Sequence, residues 1–257
     1  MQHEMLEQNF TITSTEVDAY GNCRPAALLQ FFQDLATDHA DRLDMGRDYL
    51  TREYHAVWML ARVWYRLDRP LHMGETVTIR TWHRGAGGLT VYRDFDLTVD
   101  GKPVGEAVSA WIVADIESRK MLRPTGVEHI ASAPVPETVK DRQLKLIRTP
   151  KEREYRYTKT VRYSDLDING HMNNTKYADV LIDALTPEEL RGRFIAEMQL
   201  NYSQECLPGE SMDICRQLEE DRCYIDGCGG DGARRFEAIL QFQMDPGNSL
   251  DEGEDSE

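Results

Sequence analysis

Asp167, Asn169 and His171 alternate along the run Asp-Ile-Asn-Gly-His-Met-Asn-Asn, and Glu205-Cys206 follows about a strand later. Hydrolysis of an acyl compound needs these side-chain types: a base or nucleophile, a group that orients it, and donors for the oxyanion that forms on the carbonyl. Asp167 or Glu205 can act as general base or nucleophile provided burial raises its proton affinity toward the neutral range. Asn169 can orient that carboxylate. His171 lies just before an expected helix, so backbone N–H groups at Met172 and Asn173 are expected to face an anion and hold the carbonyl oxygen. Cys206 offers a thiol, although a lone cysteine is more often a small core residue than a nucleophile. Asp-x-Asn-Gly is also an ordinary turn and cap sequence, so the run alone does not establish catalysis.

The elements that must position these groups are legible as periodicities. In the first half, Phe10 to Val17 alternates as a strand, and Pro25 suits the first turn of a helix whose Ala27, Leu28, Phe31, Phe32 and Leu35 form one apolar stripe. Strand patterns follow at Ala56 to Leu67, Glu75 to His83, Leu89 to Val99 and Val104 to Asp115, the last two joined by the hairpin signal Asp100-Gly101. Pro134, Pro136 and Pro150 mark residues 132–150 as a linker. Beyond it the pattern repeats: a strand at Glu154 to Arg162, a loop, a helix near Asn173 to Leu185, then strands near Phe194 to Ser203, Ser211 to Glu219 and Phe236 to Met244.

Asp18, Gly21 and Asp34 match Asp167, Gly170 and Asp183 at one constant spacing, which identifies an internal duplication. A helix against a curved antiparallel sheet, twice, is an α+β arrangement. The expected units are residues 1–131 and 151–247, with an acidic, disordered tail at 248–257. The first copy carries Tyr20 and Asn22 where the second carries Asn169 and His171, so its task is expected to differ and to be the holding of an apolar ligand. Trp58, Met59, Leu60, Trp64 and the Leu28 to Leu35 stripe can be core or can line an acyl tunnel between helix and sheet.

The segment Ser164 to Leu185 resembles the signature of acyl-ACP thioesterases, the plant fatty acyl-ACP thioesterases and their bacterial relatives. The resemblance extends to VWMLARVWYRLDRPLHMGETVTIRTW from Val57, GGLTVYRDFDL from Gly87 and NYSQECLPGES from Asn201. It implies a tandem hot-dog fold, release of a free fatty acid from the phosphopantetheine thioester of acyl carrier protein, and no metal or organic cofactor. The family's catalytic positions fall on Asp167, Asn169, His171, Glu205 and Cys206, with either the cysteine or a carboxylate at the centre. An acyl-CoA thioesterase keeps the chemistry and changes the carrier; a non-catalytic acyl-binding regulator is the rival from another class.

Composition narrows the partners. A formal net charge of −15 excludes a nucleic-acid or anionic-membrane surface. No apolar run has the length of a membrane span, and the N-terminus lacks a signal-peptide pattern, so a cytoplasmic protein is expected. The five cysteines form no CxxC pair and are odd in number, which points to reduced thiols rather than zinc or a disulfide framework. Arg62, Arg66, Arg69, Arg80, Arg84 and Arg93 stand out in the acidic first half as a candidate docking face for an acidic carrier, with a scattered solvated set as the alternative. Oligomeric state stays open, a homodimer included.

Overall fold

The computed structural model describes residues 5–132 and 142–247. Strand β1 (Met5–Thr11) leads to helix α1 (Pro25–Arg42), which starts on its proline as expected, then α2 (Arg47–Tyr54), β2 (Ala56–Leu67), β3 (Thr76–Gly87), β4 (Thr90–Val99), β5 (Lys102–Asp115), the short β6 (Met121–Leu122) and α3 (Glu128–Ser132). Strand β7 (Glu154–Thr160), helices α4 (Lys176–Asp183) and α5 (Pro187–Leu190), and strands β8 (Arg193–Tyr202), β9 (Ser211–Leu218), β10 (Arg222–Gly229) and β11 (Arg234–Met244) complete it. Asp100 and Gly101 both adopt positive φ, the conformation a two-residue hairpin between β4 and β5 requires.

The strands form one antiparallel sheet in the order β1-β3-β4-β5-β2-β8-β11-β10-β9-β7, with β6 beside β5. Read from either edge, the two halves have equivalent strand orders, and they meet where β2 pairs with β8 through Trp64 opposite Gln199. The fold is α+β, a tandem hot-dog. Residues alternate across the seam. Val63 and Tyr65 enter the core that Leu28, Phe32 and Leu35 of α1 share with Tyr177, Ala178 and Leu181 of α4. Trp64 faces the other side, where Val108, Ala110 and Leu144 cover it and the Arg142 guanidinium lies 3.5 Å from its ring centre. Burying each large apolar side chain contributes about 1.5–3 kcal/mol.

Of the expected linker, residues 133–141 lie outside the described residues. Residues 142–150 form no regular element but pack on the sheet, with Gln199 Nε2 donating to the Lys145 carbonyl at 2.7 Å. The expected acidic tail, 248–257, also lies outside the described residues. Among the described residues no helix is long and apolar enough to cross a membrane.

The first strand runs Met5–Thr11 rather than Phe10 to Val17, because the Thr13 N–H and hydroxyl both donate to Glu16 Oε2 and turn the chain there. Three further differences have physical causes. The second helix begins at Lys176 rather than Asn173, because the Asn173 side chain accepts from the Thr175 N–H and hydroxyl and holds a turn there. Strand β10 shows no alternation, since residues 223–227 are all buried and Gly227 interrupts the pattern. A Cβ there would clash with the Phe236 ring. Helix α2 has Leu50 as its buried residue and so presents no stripe.

Candidate active site

The constant spacing between the halves reappears as matched hydrogen bonds. In the second-half loop, Asp167 N donates to the His171 carbonyl (2.8 Å), Gly170 N to the Asp167 carbonyl (3.1 Å), and Asp167 Oδ1 accepts from Asn169 N (2.8 Å) and His171 N (3.2 Å). In the first-half loop, Asp18 N donates to Asn22 (2.8 Å), Gly21 N to Asp18 (3.1 Å), and Asp18 Oδ1 accepts from Tyr20 N (2.9 Å) and Asn22 N (3.0 Å). Gly21 and Gly170 take positive φ in the same turn. The two loops are one structure carrying different side chains.

That loop brings His171 to Glu205. Nδ1 of His171 lies 3.3 Å from Glu205 Oε1, and both groups line a cavity of about 470 Å³ together with Asp167, Asn169, Asn174, Tyr177 and Tyr202. The cavity spans the seam, because Arg47 and Thr51 of α2, residues 57–61 of β2 and Arg119 complete its wall. Arg119, in the β5–β6 turn of the first half, places Nη2 3.2 Å from Glu205 Oε2 and 3.5 Å from His171 Nε2. Sequence reasoning missed it: nothing in the turn distinguishes this arginine from other surface cations, and its partners lie in the other half.

The remaining candidates divide. Asp167 is half-buried, and its second oxygen accepts from Asn169 Nδ2 at 3.1 Å, so carboxylate and carboxamide hold each other. Glu205 is 34% exposed, so a base role for it rests on its position 3.3 Å from His171 Nδ1 at the cavity wall and not on the burial the sequence reading required. Cys206 is 1% exposed in the apolar core, outside the cavity lining, and its carbonyl accepts from Met172 N. Burial pushes its thiol up, an effect partly offset by the Tyr177 hydroxyl bonded to the sulfur. Burial also raises Tyr177 and Tyr202, keeping both phenols protonated.

The expected oxyanion donors need correction. Met172 N donates to the Cys206 carbonyl at 2.9 Å and Asn173 N to the Asp165 carbonyl at 2.8 Å, so neither is free. The reason is the late helix start, which leaves 172–173 bridged into the loop instead of heading a helix. Asn174, at the cavity wall, has an N–H bonded to no other of the described residues.

A second pocket of about 150 Å³ adjoins the first and shares Arg47, Val57, Trp58 and Asn169 with it. Its apolar wall comes from Ala36 and Ala40 of α1, Met45, Val91 and Trp111. Its polar end holds His83 and Arg93, with Arg93 Nη1 2.7 Å from His39 Nδ1. Burial, then the Arg93 and His39 charges, pull His83 down to about 4; burial pulls Arg93 down to about 10. The expected tunnel along the Ala27 to Leu35 stripe is displaced toward the C-terminal end of α1, since those residues fill the core and the pocket begins just beyond them at Ala36.

The arginine docking face is also corrected. Arg84 pairs with buried Asp94, Arg93 is buried, and Arg66, Arg69 and Arg80 pair with Glu106, Glu75 and Asp96. Five of the six are thus neutralised or hidden, and Arg62 is half-buried on β2.

The family model for the acyl-ACP thioesterase N-terminal domain matches residues 3–127, and that for the acyl-ACP thioesterase C-terminal domain matches residues 147–243. The chain belongs to the acyl-ACP thioesterase family. It is 27% identical over 253 residues to the chloroplastic acyl-acyl-carrier-protein hydrolase FATB2 of Cuphea viscosissima, a match covering 93% of this chain and 60% of that protein. It is 24% identical over 252 residues to the chloroplastic palmitoyl-acyl carrier protein thioesterase of Cuphea hookeriana, covering 93% and 59%. The chain thus spans about six-tenths of the length of these acyl-ACP thioesterase relatives. The solved structure of an acyl-ACP thioesterase from Bacteroides thetaiotaomicron shares the fold, with a TM-score of 0.80 at 23% identity, covering 94% of this chain and 99% of that one.

Proposed function

We propose that this chain hydrolyses the thioester of acyl-ACP to a free fatty acid and the carrier thiol in fatty acid biosynthesis, with the first half holding the acyl chain and the second half supplying the chemistry. The observation that carries the reading is the His171–Glu205 pair on the wall of a cavity that adjoins an apolar pocket in the first half. Family membership supports it.

In this reading the acyl chain lies toward Trp58, Met45 and Ala40, which places the carbonyl near Asn169 and His171. Glu205 takes a proton from water as the water oxygen bonds to the carbonyl carbon. The Asn174 N–H is the donor proposed for the oxyanion. Collapse of the tetrahedral intermediate breaks the C–S bond, and the departing sulfur takes the proton back from Glu205. Asp167 and Asn169 act by holding the loop that carries His171. Cys206 packs the core behind the site.

The test is a hydrolysis assay on matched acyl-ACP and acyl-CoA series of varied chain length. Higher kcat/KM on acyl-ACP than on acyl-CoA of the same chain length is expected. Equal efficiency on both carriers would remove acyl carrier protein from the reading. For location we propose the cytoplasm, supported by five free thiols and checked by cell fractionation. For assembly we propose a homodimer, supported by sheet edges β1 and β7 that pair on one side among the described residues and checked by sedimentation.

A further inference from the structure

Arg119 reaches the site from the opposite half of the molecule and touches both members of the His171–Glu205 pair. A guanidinium carries only N–H donors, so where Nη2 approaches Nε2 of His171 that ring nitrogen must be the acceptor. The proton of the neutral imidazole then sits on Nδ1, facing Glu205 Oε1, which can accept it. The contacts agree on one tautomer and one ring orientation.

The turn that delivers Arg119 is built for it. Arg119 has φ of 55°, a left-handed conformation that costs a residue with a Cβ. Arg119 N donates to the Asp115 carbonyl, and Asp115 Oδ1 accepts from both the backbone and the hydroxyl of Ser118 at 2.7 Å. Arg119 and Glu205 are 41% and 34% exposed, and an ion pair so exposed adds little to stability. Its effect is orientation. The other titratable or charged groups around the pair are Asp167 on the loop, Tyr177 on α4, Tyr202 on β8, Cys206 and Arg47 of α2. Among the described residues, Arg119 is the group within hydrogen-bonding distance of Nε2.

We propose that Arg119 is a positioning residue of the hydrolytic site, fixing His171 as the Nδ1–H tautomer with Nε2 as acceptor and holding Glu205 against the ring. The role in turnover rests on the thioesterase reading; the tautomer does not. Nitrogen-15 NMR of the His171 ring in the full chain, identified by its loss in His171→Gln, reads the tautomer without substrate. Nδ1 should carry the proton in the wild type and in Glu205→Ala, where Arg119 alone holds Nε2 as acceptor, and adding Arg119→Ala to Glu205→Ala should shift the ring toward the Nε2–H form. In acyl-ACP hydrolysis, Arg119→Ala should lower kcat by about 10- to 100-fold with KM changed less than about threefold. Arg119→Lys should restore part of the loss, and free guanidinium should rescue Arg119→Ala but not Glu205→Gln. An Nε2–H ring in the wild type, an unchanged tautomer when Arg119→Ala is added to Glu205→Ala, or an unchanged kcat in Arg119→Ala overturns the proposal. A wild-type chain that cleaves no acyl thioester removes the thioesterase reading, while the ring nitrogens still decide what Arg119 does to His171.

Discussion

Asp18 and Asp167 accept equivalent pairs of backbone N–H bonds in loops related by the internal duplication. Only one of those loops carries an imidazole, so the shared carboxylate serves loop geometry in both, and the chemistry of the second loop comes from what it presents.

Asp18→Ala and Asp167→Ala are therefore expected to lose similar stability, about 1–3 kcal/mol for a charged acceptor of two N–H bonds. Chemical denaturation checks this. Of the two, only Asp167→Ala should also lower acyl-ACP hydrolysis, because only its loop holds His171. A Cm equal to wild type for both would contradict the bracing role.

Pocket depth should control product length. Ala40→Phe fills the pocket beside Trp58 and should shift the released acids toward shorter chains with activity retained. Ala27→Phe is the contrasting variant: Ala27 is buried on α1 but lines neither pocket, so overpacking should cost about 1–3 kcal/mol and leave the profile of surviving activity unchanged. Gas chromatography of the released acids distinguishes these outcomes.

Acid should destabilise the fold through His83. Its folded value is depressed to about 4 from 6.5, so the unfolded chain binds more protons between these values and the folded state must keep the ring neutral. The sign follows: this contribution is fully present above about pH 6.5 and is lost as pH falls toward 4. It amounts to about 3 kcal/mol at 1.36 kcal/mol per unit. Denaturation at pH 7 and pH 4.5 should show a smaller loss in His83→Gln than in the wild type, and equal losses would contradict the assignment.

Cys206→Ala should keep hydrolysis within about tenfold of wild type, or about 1.4 kcal/mol, because the thiol is a core group behind the site. Steady-state kinetics on acyl-ACP decide it; an inactive but folded variant would return the thiol to the reaction.

The sheet was legible wherever one strand face meets the core and the other does not, as in β9, where buried Met212, Ile214 and Arg216 alternate with the less buried Ser211, Asp213 and Cys215. Strand β10 was hidden because burial on both faces and Gly227 erase alternation. The loop from Asp167 to His171 was visible as residue types at fixed spacing, and the duplication was visible through Asp18 and Gly21. Three features depended on three-dimensional proximity. Arg119 meets Glu205 only across the seam, Met172 N is consumed by the Cys206 carbonyl in the loop between β8 and β9, and the pocket starts at Ala36 because the earlier α1 stripe is needed to pack against α4. Pairing of the first-half arginines with nearby carboxylates likewise followed from strand register, as for Arg80 opposite Asp96.

Single-turnover cleavage of acyl-ACP by wild type and Glu205→Gln tests the central claim most directly, because it isolates the chemical step from product release. Glu205→Gln keeps the volume of the side chain and removes its ability to take a proton, so the account predicts a cleavage rate lower by about 100-fold or more with Tm within a few degrees of wild type. A Glu205→Gln chain that is folded and cleaves acyl-ACP at the wild-type rate would contradict it.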